Sequence, residues 1–140
     1  MRFMMLMIPE GYQKAQPDRV PDAEAVAAMT KYNEALKEAG VLLSLDGLHP
    51  PSDGARVTFA GGAVPSVSHG PFPGTNEALG GYWMINVKSQ QEAIDWARRC
   101  PVSHDAVIEI RQVFEVAEFP EDVRKAAGDF PERMKASSGH

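Results

Sequence analysis

Residues 3–8 (FMMLMI) are apolar without alternation, the pattern of a strand covered on both faces. The stretch 21–40 changes period: Val26, Met29, Tyr32 and Leu36 recur at spacings of three and four. Pro21 and Asp22 open this predicted helix, Ala-rich filling supports it, and Gly40 stops it. In 41–48, Val41, Leu43 and Leu45 alternate with Leu42, Ser44 and Asp46, so a strand is expected with the first set facing the helices. A loop, HPPSDGA, precedes a hairpin with strands around residues 56–60 and 63–68, a Gly61-Gly62 turn, and Pro65 marking a sheet edge. Residues 82–87 (YWMINV) form the next strand. Ser89 and Glu92 make an S-x-x-E capping box for a second helix, with Ala93, Trp96, Ala97 and Cys100 as its buried stripe and Pro101 as its end. Residues 106–113 (AVIEIRQV) are the last clear strand. Residues 114–140 are expected to form an arm with a short helix near 120–127, following a domain at 1–113.

This β-α-β-(hairpin)-β-α-β order is the ferredoxin-like split βαβ pattern, an α+β fold with an antiparallel sheet and two helices on one face. Period-two alternation assigns the faces. Val41/Leu43/Leu45, Trp83/Ile85/Val87 and Ile108/Ile110 belong under the helices. Leu42/Ser44/Asp46, Tyr82/Met84/Asn86 and Val107/Glu109/Arg111 line the other face. That second face is neither fully polar nor fully apolar, which suits a symmetric partner enclosing a polar pocket. A homodimer is expected. Phe114, Phe119 and Phe130 need burial, so the arm is expected to pack on the dimer, and truncation at 113 to weaken it.

Composition narrows the function classes. At 140 residues the chain fits one domain, and a net charge of −5 with no basic cluster argues against nucleic-acid binding. No apolar run is long enough to span a bilayer, and the segment after MRFMMLMIP lacks a leader-type cleavage site. One cysteine, Cys100, excludes an intrachain disulfide and fits a reducing, cytoplasmic setting.

The stretch HGPFPGTNEALGGYWMINVKSQQEAIDWARRCP, with AVIEIRQV after it and MRFMMLMI and AGVLLSLDGLHPP before it, resembles the YCII-related family, in particular its DGPF branch. The resemblance covers residues 1–119 and implies a ferredoxin-like fold pairing into a dimeric α/β barrel. It implies no single activity, and some members of the branch are encoded beside extracytoplasmic-function sigma factors. His69 stands where the branch has Asp, and Asn76 where it has Lys before Glu77. A His–Asp pair proposed as catalytic elsewhere in the family has no counterpart here: the first helix opens VPDAEAV and the second ends RRCPV.

The candidate chemistry follows from side-chain direction. His69 suits proton transfer from a rigid loop, or else is a polar turn residue before Gly70-Pro71-Phe72. Glu109 and Arg111, two apart on one strand, share a face: Arg111 is placed to hold an anion and Glu109 to act as acid or base, the alternative being a salt bridge at a dimer contact. Tyr82, Asn86 and Asp46 offer hydroxyl, amide and carboxylate contacts to a small ligand, and Glu77 joins from the loop. Without multi-Cys, H-x-H or H-x₃-H spacing no metal is expected, and no cofactor motif is visible. Two function classes remain: cofactor-independent proton-transfer or lyase-type chemistry on a small organic acid or phenol, and a non-catalytic ligand- or protein-binding accessory module. A third possibility gives the polar face only the role of setting dimer register.

Overall fold

The computed structural model describes residues 1–17, 20–62, 64–74, 77–102 and 104–138. Among these residues, six strands and four α-helices run in the order β1 (Arg2–Ile8), α1 (Ala23–Glu38), β2 (Leu42–Gly47), β3 (Ala55–Thr58), β4 (Ser66–His69), β5 (Gly81–Asn86), α2 (Gln90–Arg98), β6 (Val107–Gln112), α3 (Glu121–Ala127) and α4 (Phe130–Ser138). The main sheet has strand order β2-β5-β1-β6, every neighbour antiparallel. This α+β arrangement is compatible with a ferredoxin-like fold. β3 and β4 form a hairpin of their own rather than an edge of that sheet, and Gly61-Gly62 falls inside the long connection between them.

The core lies between one sheet face and the helices α1 and α2. Phe3, Met5 and Met7 of β1, Trp83 and Ile85 of β5, Val87, Tyr32 and Leu36 of α1, and Ala93 and Cys100 of the α2 region form one buried cluster. Tyr32 packs edge-on against Trp83 with ring centroids 5.8 Å apart, and its hydroxyl donates to the Trp96 carbonyl at 2.7 Å. The Trp83 indole N–H donates to Asn33 Oδ1 at 2.8 Å, so both aromatics bury their rings while their polar atoms are satisfied. Burial pushes the Tyr32 hydroxyl well above the usual phenol range and the Cys100 thiol up to about 12, which keeps both uncharged.

Both helix starts form as the sequence predicts. The Asp22 side chain accepts from the Ala25 amide at 2.8 Å and Ser89 from the Glu92 amide at 3.1 Å. The Glu92 carboxylate reaches one residue further back than a capping box requires, to the Lys88 amide at 2.8 Å.

Four expectations need correction. β1 is covered on one face only within the chain: Phe3, Met5 and Met7 are buried, whereas Met4, Leu6 and Ile8 stay half-exposed. In β2 the register shifts between Leu42, opposite Ile85, and Ser44, opposite Met84. This β-bulge turns Leu42 toward the core and leaves Leu43 50% exposed, reversing the alternation read from the sequence at those two positions. Val26, assigned to the buried stripe of α1, is exposed, because that stripe meets the sheet only from Met29 onward. The C-terminal arm carries a second helix, α4, beyond the short one expected; Phe114 (75% exposed) and Phe130 are exposed within the single chain, and their packing on a dimer stays an expectation. Phe119 instead packs on Phe114, ring centroids 5.4 Å apart.

Candidate functional site

The sheet face away from α1 and α2 can be read strand by strand from the register. One row runs Asp46–Tyr82–Leu6–Glu109 and the next Ser44–Met84–Met4–Arg111. Arg2 lies opposite Asn86 beyond these rows, and Ile8 lies opposite Val107 on the other side. A half-buried apolar strip (Met4, Leu6, Ile8 and Met84) therefore runs down the middle of the sheet, with polar pairs toward both edges.

Each polar pair has a partner already. The Tyr82 hydroxyl donates to Asp46 Oδ2 at 2.7 Å, and this bond to a carboxylate raises the phenol above its usual range. Tyr82 is thus a neutral donor and not a base. The Arg111 guanidinium donates to Glu109 Oε2 at 3.3 Å, a single long contact between two exposed side chains. Asn86 Oδ1 accepts from the Met1 nitrogen at 3.1 Å. Strands are spaced ~4.8 Å apart, so three spacings, roughly 14 Å, separate Asp46 from Glu109. Within one chain the two pairs are therefore two subsites, too far apart to grip one small acid together.

A second charged pair on this side was not foreseen. Arg2 binds Glu115 bidentately, Nε to Oε1 at 2.6 Å and Nη2 to Oε2 at 3.0 Å. The bond from Arg2 holds the Glu115 carboxyl below the usual carboxylate range, and Arg2 is raised in return. The signal was present in the alternation of β1, which puts Arg2 on the open face, but its partner lies 113 residues away and no local pattern links them.

The remaining candidates lie elsewhere. His69 ends β4 opposite Ala55 in the separate hairpin, exposed, and does not share a sheet with Glu109. The Gly70 amide donates to the Gly54 carbonyl at 2.9 Å, and a Cβ at Gly70 would come within 1.6 Å of the Pro51 carbonyl oxygen. Only glycine allows that contact, so the GPF loop is pinned to the segment around Pro51 rather than laid over the open sheet face. Phe72 is half-buried with the Arg56 guanidinium 4.2 Å above its ring, and Glu77 lines the same cleft. Asn76, the other departure from the family loop, lies outside the described residues. Among the described residues, no group of three or more His, Cys, Asp or Glu side chains is arranged to hold a metal ion, and no helix is long and apolar enough to cross a membrane.

A mixed α+β chain with this strand order and a polar-edged open sheet face defines a class of small sheet-and-helix domains. The model of the YCII-related domain matches residues 1–117, and the chain belongs to that family. No curated protein matches it.

Proposed function

We propose that the chain works as a homodimer whose open sheet faces pack together, as a dimeric α/β barrel of the DGPF branch, and enclose a polar pocket for a small organic acid or phenol. The observation that carries this reading is the division of one sheet face into a half-buried apolar strip and flanking polar pairs. The strip gives a second copy something to cover, since Met4, Leu6, Ile8 and Met84 remain in water within one chain. The pairs supply recognition. Arg111 is held by one 3.3 Å contact, so an incoming carboxylate can displace Glu109 and take the guanidinium fork. Glu109, once displaced, is the carboxylate best placed to accept a proton, and a Tyr82 hydroxyl reaches the same ligand only if the paired faces bring the two subsites together across the dimer. His69 joins this pocket only if the partner's strands approach the hairpin. The reduced Cys100 suits a cytoplasmic setting.

A specific observation also favours the accessory-module reading. Val57, Phe59, Val64 and Val67 of the hairpin and its connection are exposed, an apolar surface away from the sheet face. The test of the main reading is a thermal-shift screen of small organic acids and phenols on the wild type and on Arg111→Ala. Ligands that bind only the folded state raise the melting temperature. A shift that one compound class produces and Arg111→Ala abolishes supports the pocket. If no compound shifts the wild type, the accessory-module reading takes its place.

A further inference from the structure

The segment that pins the GPF loop also builds a second cleft, separate from the open sheet face. Its volume is about 480 Å³, and its walls include Gln13, His49, Pro51, Arg56, Phe72 and Glu77. None of these residues belongs to the main sheet.

The polar groups in this cleft are of opposite character and unevenly satisfied. Gln13 Oε1 is a buried acceptor with no hydrogen-bond partner among the described residues. A buried acceptor left without a donor is costly, and a ligand N–H would relieve it. Arg56 forms no ion pair among the described residues; its guanidinium carbon lies 4.2 Å over the Phe72 ring, which anchors the side chain at the cleft and leaves its N–H fork without a protein carboxylate. A fork held in this way suits a carboxylate, which it can bind through two parallel bonds. Glu77 supplies a negative charge to the same space. His49 is already committed through Nδ1 to Asp53 Oδ2 at 3.0 Å, so that carboxylate does not compete for Arg56. Proline, phenylalanine and leucine side chains complete the walls.

From this juxtaposition we infer that the cleft is a binding site for an apolar amino acid. The ligand carboxylate sits on Arg56, its ammonium group on Gln13 Oε1 and Glu77, and its side chain lies against the Pro51 and Leu79 walls. The cleft volume exceeds that of a small amino acid and accommodates an aromatic one.

The experiment is isothermal titration calorimetry of the full chain with L-phenylalanine, N-acetyl-L-phenylalanine and L-phenylalanine amide. L-Phenylalanine should bind, and each blocked analogue should bind at least tenfold more weakly. Arg56→Gln should weaken L-phenylalanine at least tenfold. Arg56→Lys, which keeps the charge and loses the fork, should fall between. No binding of L-phenylalanine, equal affinity for the N-acetyl compound, or full affinity in Arg56→Gln would each overturn the inference. Binding lost in Arg111→Ala and kept in Arg56→Gln would also overturn it, and would place the ligand on the sheet face instead.

Discussion

On the helix-covered side of the sheet, Phe3, Met5, Trp83 and Ile85 lose nearly all contact with water. Met4, Leu6, Tyr82 and Met84, one residue away on the same two strands, stay half-exposed. The strands are common to both faces, so backbone propensity cannot account for the difference. What differs is the cover. α1 and α2 bring Tyr32, Leu36, Ala93 and Cys100 to one face, and no such set meets the other within the chain. A face that is apolar at its centre and uncovered contributes little to the stability of a single chain and becomes useful only when something lies on it. The covered face is a matter of folding; on the proposed reading, the open face is a matter of association.

The largest expected effect separates the two directly. Ile85→Ala opens a cavity in the covered face and should cost about 2–5 kcal/mol, read as a fall in the urea midpoint at every protein concentration. Leu6→Arg places a charge in the open strip. If the proposed dimer forms, the substitution should leave a folded monomer in light scattering while the wild type runs at twice that mass. If both proteins show the same mass, the open face is not where two copies meet.

A smaller effect tests the Arg2–Glu115 pair, which ties the start of β1 to the C-terminal arm. The folded-state pKa of Glu115 is depressed, so its contribution is fully present above the ordinary carboxylate value and is lost as pH falls through the lowered one. Between those two values the unfolded chain binds more protons than the folded chain, and stability declines with acid. Both side chains are more than a third exposed, so the contribution is at most about 1 kcal/mol. Glu115→Gln should flatten the urea midpoint against pH below about pH 4.5 relative to wild type. A slope identical in both proteins would show that this pair carries none of the acid dependence.

The smallest effect is spectroscopic. The Tyr82 phenol is raised mainly by its bond to Asp46, so in Asp46→Asn it should ionise at lower pH than in the wild type, seen as an earlier phenolate absorbance rise. Unchanged curves would mean that the bond does not hold the proton on Tyr82.

The fold was more legible than the site, and the reasons are physical. Helix starts are written in neighbouring residues, so Asp22 and Ser89 could be named as caps without coordinates. Face assignments in β5 and β6 followed from alternation alone, and the buried Trp83 and Ile85 agree with them. Alternation failed at Leu42 and Leu43, because a bulge is set by the partner strand and leaves no mark in a run of leucines. α4 was missed because its single face, Phe130 and Met134, is short and flanked by charge. Site residues were harder still. Tyr82 with Asp46 and Glu109 with Arg111 were rightly placed on one face, but the cleft of Gln13, Arg56 and Glu77 joins the helical turn after β1, strand β3 and the loop before β5, which only the folded backbone brings together.

The bulge in β2 has a consequence for solubility. β2 is an edge of the main sheet, and a regular edge strand offers unpaired N–H and C=O groups to any other strand it meets. The extra residue at Leu43, second in the strand, interrupts that row near its start and bends it, which shortens the straight template left for a stranger to extend. A chain with Leu43 deleted would keep its helices and core, yet present a longer unbroken ribbon to its neighbours, and fibrous self-assembly would follow more readily than unfolding.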